Sequence, residues 1–201
     1  MRFRPALSLT VVLLLFAQEA GGFERYAFDW RYKLPDALPM ADAFEICLGD
    51  VSAVAAVTIR EAASRWSYGK FAFTFVPDGC SSSSQFPVQN GVNQIDFGLT
   101  EQDAPGVTRP YFDGNNMLEC DIRFHMPLAI DFKWNLDARR STAPDEWDLL
   151  TVAMHEFGHC LGLKDEADLP TVVMFNRLSL GQERRELKSD DLSGRAAIYG
   201  K

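Results

Sequence analysis

Hydrophobic and polar positions along this chain recur with two different periods. Ala55, Ile59, Ala62 and Trp66 are spaced i, i+4, i+7 and i+11, which predicts a helix with one apolar face, and Asp50 is placed to cap it. A second stripe is formed by Leu150, Met154, Phe157 and Leu161. Its helix is expected to begin near Pro144-Asp145-Glu146, where proline suits a first turn and the acids complement the positive helix end. Gly162 should stop it. A third helix is expected from Ser189, with Asp190 and Asp191 in its first turn, Leu192, Ala196 and Tyr199 facing inward, and an end at Gly200.

The stretches between these helices carry a period of two. An apolar run at Phe44 to Leu48 precedes the first helix. Phe71, Phe73 and Phe75 alternate with Ala72, Thr74 and Val76 before Asp78-Gly79 and the serines 81–84. Shorter alternations follow at Ile95/Phe97, Cys120/Ile122/Phe124 and Ile130/Phe132/Trp134. Together they predict a sheet of four or five strands, and with the helices an α+β domain. Residues 23–43, with Pro35 and Pro39, read as an extended N-terminal arm. So short a segment is too small for a folded inhibitory prodomain.

Composition narrows the class. The chain has 201 residues, 47% hydrophobic and 24% charged, enough for one well-buried core. A net charge of −8 argues against nucleic acid as a partner, since phosphate binding needs clustered Lys and Arg. Arg2 and Arg4 precede an apolar run from Ala6 to Ala17, with small residues at Ala20, Gly21 and Gly22. This predicts a signal peptide over 1–22 and hence a secreted, extracellular or periplasmic product with no membrane segment after cleavage. The four cysteines, Cys47, Cys80, Cys120 and Cys160, suggest two disulfides in an exported chain, with three connectivities open. A buried free thiol at Cys160 is the competing expectation.

The chemistry is concentrated in His155-Glu156-Phe157-Gly158-His159-Cys160-Leu161-Gly162-Leu163-Lys164-Asp165. Two histidines four apart project from the same side of a helix one turn apart, a suitable bite for one zinc ion. They point away from the Leu150/Phe157 stripe, so one face can pack while the other meets a cleft. A catalytic zinc takes three protein ligands and keeps one position open. Gly162 lets the chain bend back so that Asp165 can supply the third, with Glu166 and Asp168 as nearby competitors. Glu156, between the histidines, is the candidate catalytic base. The chain has three histidines, and the last, His125, is expected to be a strand or loop residue.

These residues resemble a metzincin zinc metallopeptidase, and within that clan the matrixins and their bacterial relatives. Asp148-Leu-Leu-Thr-Val-Ala-Met-His155-Glu156-Phe-Gly-His159 is similar to the matrixin active-site helix, and Asp190-Asp191-Leu-Ser-Gly-Arg-Ala-Ala-Ile-Tyr-Gly200 to the terminal helix. The likeness spans about 44–200. It implies a catalytic domain at 44–201, a twisted mixed sheet of about five strands with three helices, and a methionine turn at Thr171 to Phe175 with Met174 beneath the metal. It also implies an endopeptidase with zinc as cofactor, a protein or peptide as substrate, and a monomeric state. An aspartate as third ligand resembles the snapalysin-type enzymes. The histidine-rich structural zinc site of matrixins cannot be built here, and no residue pattern supports a calcium site. An extended substrate is expected to pair with an edge strand, for which Cys120 to His125 is the candidate, and the segment from Phe175 to Leu187 should set pocket selectivity. A silent binding module, or a zinc hydrolase of non-peptide amides or esters, is the alternative.

Overall fold

Most stretches in which aliphatic and aromatic residues alternate with polar ones become strands, and their order in space follows from which of them can be buried on both faces. The computed structural model describes residues 22–30, 43–47, 53–69, 71–77, 80, 86–101, 104–126 and 132–200. Residues 1–21 of the signal peptide expected at 1–22, the expected capping residue Asp50, Ile130 and most of the arm's second half lie outside them. In chain order the elements are β1 (Phe44–Cys47), α1 (Ala53–Arg65), β2 (Asn93–Gly98), β3 (Gly106–Asp113), β4 (Asn116–His125), β5 (Trp134–Asn135), β6 (Trp147–Asp148), α2 (Leu149–Leu161) and α3 (Ser189–Tyr199). This is a mixed α+β domain, as expected. Among the described residues no helix is long and apolar enough to cross a membrane.

The main sheet has the order β1-β2-β4-β3. β1, β2 and β4 run parallel, and β3 returns antiparallel along β4 through a tight turn at Gly114. β2 is buried at every position, as an interior parallel strand must be. The expected strand at Phe71 to Phe75 reduces to two isolated bridges, an antiparallel one between Phe71 and Tyr68 and a parallel one between Phe75 and Phe44, the latter held by Phe44 N–H to Thr74 O (2.9 Å) and Val76 N–H to Phe44 O (3.1 Å). Its aromatic rings still enter the core. Phe73 and Phe44 lie 5.0 and 5.6 Å from the Phe157 ring of α2, and Phe71 stacks on Tyr199 of α3 at 4.1 Å.

The topology corrects one expectation. Cys120 to His125 lies in β4, between β2 and β3, so its backbone is already paired on both sides. The sheet edge beside α2 is β3. Pro110 on β3 explains the choice, because a residue without an N–H belongs on an edge strand.

Helix α1 buries Ala55, Ile59 and Ala62 completely, and Trp66 just past its end as well, the face the spacing predicts. α2 buries Leu150, Met154, Phe157 and Leu161, yet it starts later than Pro144. Trp147 and Asp148 first pair with Trp134 and Asn135 as β6 on β5. Asp148 then caps the helix, accepting from Thr151 N–H (3.1 Å) and Thr151 O–H (2.6 Å). Its carboxylate also takes two hydrogen bonds from Arg185 (3.0 and 2.6 Å), tying the helix start to the segment after the methionine turn. α3 begins at Ser189 as expected, but Leu192 is 38% exposed and the buried positions are Asp191, Gly194, Ile198 and Tyr199. The inward place expected of leucine is taken by a carboxylate.

Two disulfides join Cys47 to Cys80 and Cys120 to Cys160. They settle the open connectivity, and Cys160 is not a free thiol. The second staples β4 to α2 beside His159, and closing a loop of 40 residues stabilises the fold by about 3–4 kcal/mol in the chain-entropy account.

Candidate metal centre

Asp148 at its start and Gly162 at its end fix the length of α2. Gly162 adopts φ 116°, a left-handed conformation that terminates the helix. The turn sends residues 163–165 back across the last helical turn, and the N-terminal arm lies along them. Tyr26 N–H donates to Gly162 O (2.8 Å) and Lys164 N–H to Glu24 O (2.9 Å). Asp165 thereby arrives at the two histidines.

The three candidate ligand atoms converge. His155 Nε2 lies 3.2 Å from His159 Nε2 and 3.2 Å from Asp165 Oδ1, and His159 Nε2 lies 3.6 Å from the same oxygen. Each imidazole has its Nδ1 against a carbonyl, His155 on Val173 O and His159 on Leu163 O, both at 3.0 Å. A carbonyl only accepts, so each Nδ1 carries the proton and donates it, and each Nε2 presents a lone pair. Two lone pairs and a carboxylate oxygen facing one another repel unless a cation stands between them. A tetrahedral ion with bonds of ~2.0–2.1 Å separates its ligand atoms by roughly 3.3–3.4 Å, and the spacings of 3.2, 3.2 and 3.6 Å lie on either side of that value. The residues therefore fit zinc.

Electrostatics agrees with that reading at His159 and Asp165. Burial, reinforced by the neighbouring His155, holds the His159 imidazole below its ordinary pKa and favours the neutral, ligating form. A hydrogen bond from His155 holds the Asp165 carboxyl low. For His155 burial is the largest single effect and opposes protonation, but the bond to Asp165, the Glu156 charge and the Val173 carbonyl together outweigh it and the net shift is upward. A proton between His155 and Asp165 would satisfy the same electrostatic demand as a metal.

The competing carboxylates do not join the cluster. Glu166 is buried and accepts Asp168 N–H (2.7 Å), while its own backbone brackets Met174 and Asn176. Asp168 is exposed. His125 ends β4, with Nδ1 2.8 Å from Thr100 Oγ1 and its ring on Phe132 at 4.2 Å, as expected of a strand residue.

Glu156 stands beside the cluster, outside the ligating set. Its Oε2 accepts the Thr108 hydroxyl from β3 at 2.6 Å. Gly106 makes this approach fit, because a Cβ there would lie 2.6 Å from Glu156 Oε1. Met174 is buried under α2, and a Cβ on Gly158 would lie 2.1 Å from its sulfur. The turn carrying Met174 is held by Asp191, which accepts Val173 N–H (3.0 Å), Met174 N–H (3.1 Å) and Lys188 N–H (2.9 Å). Sequence reasoning placed Asp191 in a first helical turn and missed this role. It also missed Thr108, Asp148 with Arg185, and Tyr26. The Tyr26 ring centroid is 6.5 Å from that of His159, and burial followed by the charges of Asp165 and Glu156 pushes its hydroxyl pKa up.

A cavity of about 510 Å³ opens beside His155 and Glu156, lined also by Gly106 of β3, by Thr151 one turn back along α2, and by residues 175–179 and Arg184.

The matrixin family profile matches residues 52–200. Similar curated proteins include matrix metalloproteinase-27 of Tupaia belangeri, 41% identical over 91 residues, covering 45% of this chain and 18% of that protein. Metalloendoproteinase 5-MMP of Arabidopsis thaliana is 42% identical over 53 residues, 26% of this chain and 14% of the relative. Neutrophil collagenase of Homo sapiens is 26% identical over 114 residues, 56% and 24% respectively. The matched stretches thus span less than a quarter of each of these relatives' length.

Proposed function

The chain belongs to the matrixin family, and from that premise we propose that it is a zinc-dependent endopeptidase hydrolysing peptide bonds of extracellular proteins, with His155, His159 and Asp165 as ligands and Glu156 as general base. The observation that carries this reading is the triangle of ligand atoms with sides of 3.2, 3.2 and 3.6 Å, next to a carboxylate that stays outside it. Zinc, when bound, supplies a Lewis acid that polarises the scissile carbonyl and makes a nearby water more acidic.

The chain's own groups do the rest. Val173 O and Leu163 O orient both imidazoles, as outer-shell carbonyls do for ligating histidines. Glu156 takes a proton from water as the water oxygen attacks the carbonyl carbon, and returns it to the amine as the C–N bond breaks. Thr108 donates to Oε2 and fixes that carboxylate, leaving Oε1 for the proton. The outer edge of β3, from Gly106 to Pro110, which pairs with no other strand among the described residues, lies alongside and suits an extended peptide backbone. A substrate side chain enters the cavity between Thr151 and residues 175–179. Two disulfides support an oxidising, extracellular setting, in keeping with the leader read at 1–22.

The test measures zinc content and cleavage of a quenched peptide in wild type, Glu156→Gln and Asp165→Ala. The wild type should bind near-stoichiometric zinc and cleave. Glu156→Gln should keep the metal and lose about 10²–10⁴-fold in turnover, and Asp165→Ala should release zinc to a chelator that the wild type resists. Unchanged turnover in Glu156→Gln would overturn the mechanism, and unchanged zinc affinity in Asp165→Ala would remove it from the ligand set.

A further inference from the structure

The titratable side chains lining the cavity beside the metal centre are His155, Glu156, Arg177 and Arg184. With a divalent ion at the centre, its two charges are balanced by Asp165 and Glu156. Arg177 and Arg184 are then the charged side chains of the lining left without a counter-charge in the cavity.

Arg184 is built into the wall. Its backbone N–H donates to Thr151 Oγ1 (2.8 Å), fixing it one helical turn from His155. Its Nη2 donates to Arg177 O (2.6 Å) and Gln182 Oε1 (3.4 Å), and its Nη1 to Phe175 O (3.4 Å), while the guanidinium lies 5.1 Å over the Phe175 ring. Every one of these partners is neutral. Among the described residues no carboxylate forms a salt bridge with Arg184 or Arg177, although Arg185, the next residue, takes Asp148 and Glu183. Asp191 is the acid that acts on Arg184 through space, and its oxygens are already used by three backbone donors. A guanidinium has five N–H donors, so Arg184 keeps donors for a ligand. A charged, half-buried donor without an ionic partner rewards an anion and penalises an apolar group that leaves it desolvated.

We propose that this cavity selects substrates with an acidic side chain next to the scissile bond, Arg184 being the determinant and Arg177 an auxiliary charge. The inference rests on the peptidase reading for its substrate class. It concerns the chemistry of the cavity, which can be measured apart from turnover.

Two parallel measurements test it on the zinc-loaded full chain. The first compares kcat/KM for quenched peptides with Glu, Gln or Leu at each of the two residues flanking the cleaved bond. The second measures, by calorimetry, affinities of hydroxamate pseudopeptides with the same three side chains. Wild type, Arg184→Met, Arg184→Lys and Arg177→Ala are compared, each checked for folding by near-UV circular dichroism. Glu should be favoured over Gln and Leu by about tenfold or more in the wild type. The preference should collapse in Arg184→Met, return in part in Arg184→Lys, and fall two- to threefold in Arg177→Ala. If Arg184→Met does not fold, Arg184→Lys and Arg177→Ala carry the test. Peptides cleaved with a Glu-to-Leu ratio unaffected by these variants, or a wild type that prefers Leu in both measurements, would overturn the proposal and leave the peptidase intact. Absence of cleavage with Arg184-dependent binding of the Glu ligand would uphold the acidic cavity and sink the peptidase reading.

Discussion

Replacing Gly158 by alanine sets two effects of known size against each other. Glycine inside a helix costs about 1 kcal/mol relative to alanine, so Gly158→Ala in α2 should stabilise if nothing else mattered. The added Cβ, however, would sit 2.1 Å from Met174 Sδ, 3.0 Å from Met174 Cε and 3.0 Å from Trp66 Cζ2. Met174 is 3% exposed and Trp66 fully buried, its Nε1–H bonded to Met154 O at 2.8 Å, so neither has open space behind it. Restoring ordinary contact moves the sulfur by roughly 1.3 Å, an overpacking that costs about 1–3 kcal/mol and outweighs the propensity gain. The displacement falls on the turn whose Val173 carbonyl accepts from His155 Nδ1. Loss of such a carbonyl partner weakens metal binding by about 10–100-fold. Urea denaturation with and without zinc, and a competition titration against a chromophoric chelator, read both quantities. The Met174→Ala background completes a cycle, since the clash disappears there and the helical gain should surface. If Gly158→Ala raised stability by ~1 kcal/mol and kept wild-type zinc affinity, or behaved alike in both backgrounds, the reasoning would be wrong.

Two further outcomes concern carboxylates away from the metal. Burial, followed by the charges of Glu119 and Asp96, pushes the Asp121 carboxyl up to about 7, against ~3.9 in the unfolded chain. Below the lower value both states are protonated and nothing is lost. Between the two only the unfolded chain ionises, so stability falls as pH rises, and above 7 a penalty of at most roughly 4 kcal/mol remains. Asp121→Asn can still accept Gln94 N–H, and should flatten that loss in a pH series of urea melts; a parallel profile for both proteins would refute the assignment. Asp191→Asn keeps one of the two oxygens that bind three N–H groups and turns a donor toward the others, costing about 2–5 kcal/mol. It should also weaken zinc binding through the methionine turn, and a change under ~0.5 kcal/mol in denaturation would contradict the structure.

The apolar periodicities of α1 and α2 could be read directly because each helix buries one continuous stripe, Ala55 to Trp66 in one case and Leu150 to Leu161 in the other. The bite of His155 and His159 follows from helix geometry alone, and Asp165 from the bend at Gly162. Where reading along the chain failed, a tertiary partner had overridden local preference. Pro144-Asp145-Glu146 suits a helical first turn, but pairing of Trp147 with Trp134 delays α2 to Leu149. Leu192 is a natural inward residue, yet the unsatisfied N–H groups of Val173 and Met174 draw Asp191 inside instead. The edge strand was misplaced although the signal existed: Pro110 marks Gly106–Asp113 as the strand with an open side. Which cysteines pair was beyond pattern altogether, since it depends on β4 meeting α2.

Asp191 gives the assembly of this protein a direction in time. The loop under the histidines cannot take its final shape until α3 has been synthesised and docked, because the acceptor for its backbone comes from a helix made about 17 residues later. A ribosome-bound chain that has already emitted His155, His159 and Asp165 therefore holds an unfinished centre. Every truncation ahead of Ser189 should yield a product that cannot close around the ion.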